Sequence, residues 1–197
     1  MRMRMRAQVG MNGGHSAAAM LHAHPAIVVH SFDIMYWNYS WPVARLLQST
    51  FPTRFHLHPG DSRQTVPQWA AELAQAAPAP SSSSSSSSAE PSDALRALRR
   101  RRPCDMLLVD GDHTLGGASA DLHNLRELAA PAAAVIVDDT ATSPGLALQR
   151  LASSGALRIR ESYGPYDPPS RFNRCLRTYN RGPMCLPWGF SVAQYVQ

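Results

Sequence analysis

The chain has 197 residues, 44% of them hydrophobic and 17% charged, which is enough for one domain with a core and short for two. All 19 basic residues are arginines and the formal net charge is +5, so Schiff-base lysines, P-loop lysines and a lysine general base are excluded. Cys104, Cys175 and Cys185 are widely spaced with no C-x-x-C pair, which argues against a disulfide framework or a zinc knuckle and for a reducing compartment.

The start, "MRMRMRAQV", reads as a short strand behind arginines, and the first acidic residue is Asp33. An Arg-rich, acid-free start leaves organellar targeting open, with the cytoplasm as the expected compartment. No apolar run approaches the ~20 residues that span a bilayer, so no membrane partner is expected. Gly10, Asn12, Gly13 and Gly14 follow the strand. Such residues tolerate positive φ and let the backbone approach a ligand at the N-terminus of the next helix, expected over 16–24.

Further along, apolar runs recur at 26–33 ("AIVVHSFD"), 54–62 ("RFHLHPGDS"), 105–113 ("DMLLVDGDH") and 132–140 ("AAAVIVDDT"), and each runs out through an aspartate. Between them the spacing predicts helices over 40–51 and 117–130. Strands alternating with helices predict an α/β domain with a doubly wound, mostly parallel sheet, and right-handed crossovers bring the acidic strand ends to one edge. Asp33 ends the strand after the glycine loop, where a carboxylate can accept hydrogen bonds from ribose hydroxyls.

The tract "APAPSSSSSSSSAEPS" at 77–92 has nothing to bury and is expected to be a disordered surface insertion. Arg99 to Arg102 read as a solvated helix end, and no nucleic-acid partner is expected from them. Residues 161–188 read as irregular, a lid or an excursion, before a closing strand "GFSVAQYV" at 189–196. Seven histidines (His15, His22, His24, His30, His56, His58 and His123) have no ligand spacing and read as surface or packing residues. Tyr36, Trp37, Tyr39 and Trp41 stack on a base, wall a pocket or pack the next helix; the sequence leaves these alternatives open.

Taken in order, "VGMNGGHSA", "SFD", "GDS", "VDGDH", "DLHNLRELAAPAAAVIVDD" and "GFSVAQYV" resemble the class I S-adenosylmethionine-dependent methyltransferases, in particular the macrocin and sugar O-methyltransferase relatives. That resemblance implies a Rossmann-like seven-stranded sheet with an antiparallel last strand. It implies that Gly10, Asn12 and Gly14 line the cofactor, Asp33 holds its ribose, Asp61 and Ser62 lie near the adenine, and Asp110 borders the site. It also implies a divalent cation such as Mg²⁺ on Asp110, Asp138 and Asp139, three carboxylates that would otherwise repel one another. Catechol-type relatives place a basic lysine near the position of His113. With no lysine in the chain, imidazole is the base closest to neutrality, so His113 reads as that base or, alternatively, as a metal ligand or a histidine behind one, whereas Asp112 reads as a turn or cap residue.

Two departures stand out. Gln8 occupies a position that is usually acidic, and only "MRMRMRA" precedes the first strand, so the expected single domain over 1–197 is N-terminally abbreviated. The expected partner is a small-molecule acceptor, and a homo-oligomer is left open. Other readings also remain: a nicotinamide-dependent dehydrogenase, a metal-dependent hydrolase built on the Asp and His cluster, and a degenerate domain that binds a nucleoside or a protein without chemistry.

Overall fold

The computed structural model describes residues 4–76, 102–166, 175–178, 182–185 and 188–196. The expected insertion at 77–92 lies outside them, as do Arg2 and Arg99 to Arg101. Strand β1 (Arg4–Val9) leads through the glycine loop to α1 (His15–Ala23). Then come β2 (Ile27–Asp33), α2 (Ser40–Thr50), β3 (Phe55–Pro59) and α3 (Ser62–Ala76). The second half holds β4 (Cys104–Val109), α4 (Leu115–Leu125), a 3-10 turn (Arg126–Leu128), β5 (Ala129–Val137) and α5 (Ser143–Ser153). It closes with β6 (Leu157–Tyr166), β7 (Cys175–Thr178), β8 (Gly182–Cys185) and β9 (Trp188–Tyr195).

Seven strands form one sheet in the order β3-β2-β1-β4-β5-β9-β6. The first five are mutually parallel, and β9 inserts antiparallel between β5 and β6. This is the doubly wound sheet with an antiparallel last strand that the sequence predicts. One expectation is corrected: 161–166 continue β6, pairing Glu161 with Val192 and Tyr163 with Phe190, and 175–178 pair with 182–185 as a separate ribbon. Bulges in β6 and its Gly-Pro pair hide the strand period.

Alternation along the central strands sorts the core into two layers. Ala7, Val9, Leu107, Val109, Val135 and Val137 meet α3, α4 and α5 through Val66, Leu122, Leu125 and Leu148. On the other face Ile27, Val29 and Phe55 meet α1 and α2 through Leu21, Ala44 and Leu47. The arginines of β1 fare unequally. Arg4 is exposed, whereas Arg6 is partly buried with Nε unpartnered; burial lowers its guanidinium pKa, and Asp105 partly offsets that. Gln8 is fully buried and donates from Nε2 to Ser31 Oγ at 2.9 Å.

His30 and His56 face each other across β2 and β3. The His30 ring stacks on His56, His58 and Trp69 of α3, at centroid distances of 4.0 to 5.3 Å, and His58 is tilted against Trp69 at 5.4 Å. These histidines are packing residues, as the sequence suggests. His30 Nδ1 and His58 Nε2 lie 3.0 Å apart, which fits one neutral ring donating to the other.

Candidate active site

Backbone hydrogen bonds between neighbouring strand exits set the site's floor. Gly10 N–H donates to Phe32 O, Gly60 N–H to Asp33 O, Asp110 N–H to Val9 O and Asp138 N–H to Val109 O, at 2.8 to 3.0 Å. The loops after β1, β2, β3 and β4 therefore leave the sheet side by side, around a cavity of about 1020 Å³. That is at the upper end of ordinary ligand sites and leaves room for a nucleoside cofactor together with a second small molecule.

Gly10 has φ +87°, and a Cβ there would lie 1.9 Å from the Asp110 carbonyl oxygen. Only glycine permits that approach of the loops after β1 and β4. Gly14, at φ +73°, caps α1 and is packed under Val43 and Leu47. Asn12 takes φ +48°, a conformation asparagine tolerates better than most residues, and its Oδ1 accepts from the Tyr39 hydroxyl at 2.5 Å.

Asp33 organises this loop. Its Oδ2 accepts from Met11 N–H at 2.7 Å and Asn12 N–H at 2.9 Å, and its Oδ1 from Met35 N–H at 2.6 Å. The expected ribose-binding carboxylate thus also shapes the glycine loop it faces. Asp61 is paired with Arg63 at 2.6 Å, which lowers its carboxyl pKa, chiefly through the side-chain hydrogen bond. Asp61 and Ser62 both line the cavity. Of the aromatic group, Tyr36, Trp37 and Tyr39 also line it, and all four rings are 44 to 76% exposed, so core packing of α2 is not their role.

At the β4 end, Asp110 and Asp139 flank His113. His113 Nε2 lies 3.6 Å from Asp110 Oδ1, and its Nδ1 lies 3.1 Å from Asp139 Oδ2. One ligand-capable atom from each of the three falls within 4.8 Å of the others. Asp110, followed by Asp139, raises the imidazole's pKa above its ordinary value against the opposing effect of burial. Two carboxylates and an imidazole are a donor set that suits a hard or borderline divalent cation. Of the carboxylates Asp110, Asp138 and Asp139 that the resemblance implies for this cation, Asp110 and Asp139 converge on His113, and the charge of Asp138 also acts on that imidazole. Asp139 sits at φ +52°, the left-handed region that aspartate tolerates better than most residues. Asp112 Oδ1 accepts from Thr114 N–H at 2.9 Å, the expected turn role.

A family model described as a methyltransferase domain matches residues 7–140, so the chain belongs to the methyltransferase-domain family, as an enzyme of the S-adenosylmethionine-dependent class. Solved structures share its fold at low identity. A TDP-rhamnose 3'-O-methyltransferase of calicheamicin biosynthesis, CalS11, is 16% identical with a TM-score of 0.55, over 84% of this chain and 68% of that one. The O-methyltransferase TomG from Streptomyces achromogenes, solved with S-adenosylmethionine, is 14% identical with a TM-score of 0.54, over 98% and 74%. MycE from the mycinamycin pathway, solved with Mg, S-adenosylhomocysteine and mycinamycin VI, is 14% identical with a TM-score of 0.52; 98% of this chain covers 45% of it. No curated protein matches. The dehydrogenase and hydrolase readings give way to the family match.

Proposed function

We propose that the protein transfers a methyl group from S-adenosylmethionine to a hydroxyl of a small acceptor, assisted by a divalent cation. The observation that carries this reading is that Asp110 and His113 line one end of the cavity whose other walls include the glycine loop and Asp33, with Asp139 set against His113 at 3.1 Å. The cavity offers glycine backbone for close approach and a carboxylate for ribose. Mg, S-adenosylhomocysteine and mycinamycin VI occur together in MycE, which supports the combination.

Methyl transfer from a sulfonium is an in-line displacement, so the chain's task is to align donor and acceptor and to make the acceptor nucleophilic. A divalent cation held by Asp110 and Asp139 would lower the hydroxyl's pKa and orient it. His113 is 52% exposed at its side chain; with the two carboxylates engaged by the cation, a ring nitrogen would be free to take the hydroxyl proton as the methyl C–O bond forms and the methyl C–S bond breaks, releasing S-adenosylhomocysteine. Tyr36, Trp37 and Tyr39 line the same cavity, with the Tyr39 hydroxyl bonded to Asn12 of the glycine loop, and offer aromatic faces to a bound ligand.

The test is methyl transfer from labelled S-adenosylmethionine to a panel of hydroxylated acceptors, with Mg²⁺ and with chelator. Metal-dependent label in the product supports the reading. Transfer to nitrogen or carbon acceptors only, or transfer indifferent to chelator, overturns it.

A further inference from the structure

Beneath the cavity, α3 and α4 meet around a carboxylate that the proposed reaction does not use. Helix α4 buries Gly117, Ala118, Asp121, Leu122 and Leu125, a single helical stripe in which only Asp121 is charged. Asp121 is 1% exposed. Its Oδ1 accepts the Ser62 hydroxyl hydrogen at 2.6 Å, whereas Oδ2 is buried without a hydrogen-bond partner. A buried carboxylate satisfied on one oxygen costs stability, and packing alone would favour leucine there.

Its position suggests what the carboxylate does. Ser62 opens α3 and lines the cavity beside Gly60 and Asp61. Oδ2 lies under the opposite loop: a Cβ on Gly111 would come within 3.2 Å of it and 2.6 Å of Val9 Cγ1. One side chain therefore reaches both the loop after β3 and the loop after β4, where they border the same end of the cavity.

We propose that Asp121 is a positioning residue for the cofactor's purine base, clasping Ser62 so that the start of α3 stands at the spacing from Gly111 that a flat ring requires. This rests on the methyltransferase reading of the cavity. The short O–H···O⁻ bond is of the charge-assisted kind, and it fixes the Ser62 hydroxyl with its acceptor lone pairs free for a ligand. A protonated Asp121 gives up that charge-assisted bond, and Ser62 is then free to turn. The charged groups facing Asp121 are Asp112 from the loop after β4 and Asp61 and Arg63 at the start of α3. Burial pushes its pKa up to about 6, with Asp112 and Asp61 adding to the rise and the Ser62 bond and Arg63 opposing it. The clasp loosens as pH falls through that value.

The experiment is calorimetric titration of S-adenosylhomocysteine into the wild type, Asp121→Asn, Ser62→Ala and the double variant, between about pH 5 and pH 8, with thermal midpoints recorded. The clasp implies that wild-type affinity falls about tenfold on acidification, and that Asp121→Asn is about tenfold weaker at the alkaline end with a flattened profile. Its thermal midpoint there is expected to hold or rise, because a buried charge has been removed. Ser62→Ala should match it, and the double variant should be no weaker than either single change. Wild-type affinity with an unflattened profile in Asp121→Asn overturns the inference, as does a loss that only tracks a lowered midpoint. If Asp121→Asn does not fold, wild-type binding by Ser62→Ala overturns it. Wild-type protein that binds no S-adenosylhomocysteine overturns the cofactor reading itself, and this inference with it.

Discussion

Replacing Asp33 with alanine removes three acceptor contacts at once, to Met11, Asn12 and Met35. Met11 is 2% exposed, so its N–H finds no water in exchange, at a cost of about 1–3 kcal/mol. Asn12 and Met35 hold φ values of +48° and +58°, each about 1–2 kcal/mol above a right-handed conformation. Without the carboxylate nothing compensates that strain, and the glycine loop relaxes. In the proposed cofactor site the ribose would lose its charged acceptor as well, worth about 1.5–3 kcal/mol, or roughly a 10- to 150-fold loss of affinity. Asp33→Asn keeps an acceptor but turns a donor toward backbone N–H groups, so an intermediate loss is expected. The assay is calorimetric titration with S-adenosylhomocysteine, paired with thermal melting. An Asp33→Ala protein with wild-type affinity and midpoint would refute both the loop-shaping role and the ribose role.

His113→Ala should cut turnover by roughly 10² to 10⁴ while S-adenosylhomocysteine affinity holds; steady-state kinetics beside calorimetry checks this, and unchanged turnover removes His113 from the chemistry. Asp139→Ala should abolish Mn²⁺ binding measured by titration while sparing cofactor affinity, and a variant that still binds the ion as wild type does would discard the site. His30 gives a pH dependence of stability. Burial, with His56 and His58 beside it, pushes its pKa down to about 3, below the ~6.5 of an unfolded histidine. The unfolded chain therefore takes up this proton first, so the stability contribution is complete above pH ~6.5 and is lost as pH falls toward about 3, at about 1.36 kcal/mol per unit. In His30→Leu the acid limb of the melting profile should flatten, and an identical slope would contradict the assignment.

How much the sequence discloses depends on whether a feature has local pattern. The four later strands ending in aspartate and the glycine loop follow from β-branched runs and from the only residues that suit positive φ, and the structure places them at one edge as expected. That His113 stands between Asp110 and Asp139 has no local pattern, because it depends on where the loop after β4 turns against the loop after β5. Asp121 does carry a local signal. It lies four residues after Gly117 and one before Leu122, inside the stripe that the helical period marks as buried, where an acidic residue demands a partner. The partner, Ser62, is 59 residues away, and nothing local announces it. The stacking of His30, His56 and His58 was hidden in the same way: His56 and His58 share a strand face by alternation, but Trp69 arrives from α3 only through the tertiary fold.

The most direct measurement is calorimetric titration of the wild-type protein with S-adenosylhomocysteine, in Mg²⁺ and in chelator. The expected result is saturable binding at one site per chain with nearly the same affinity in both buffers, because in the proposed mechanism the cation serves the acceptor's hydroxyl and not the sulfonium. Absence of binding in either buffer would contradict the assignment of the cavity, and binding that appears only with Mg²⁺ would contradict the division of labour between Asp33 and the Asp110, His113 and Asp139 group.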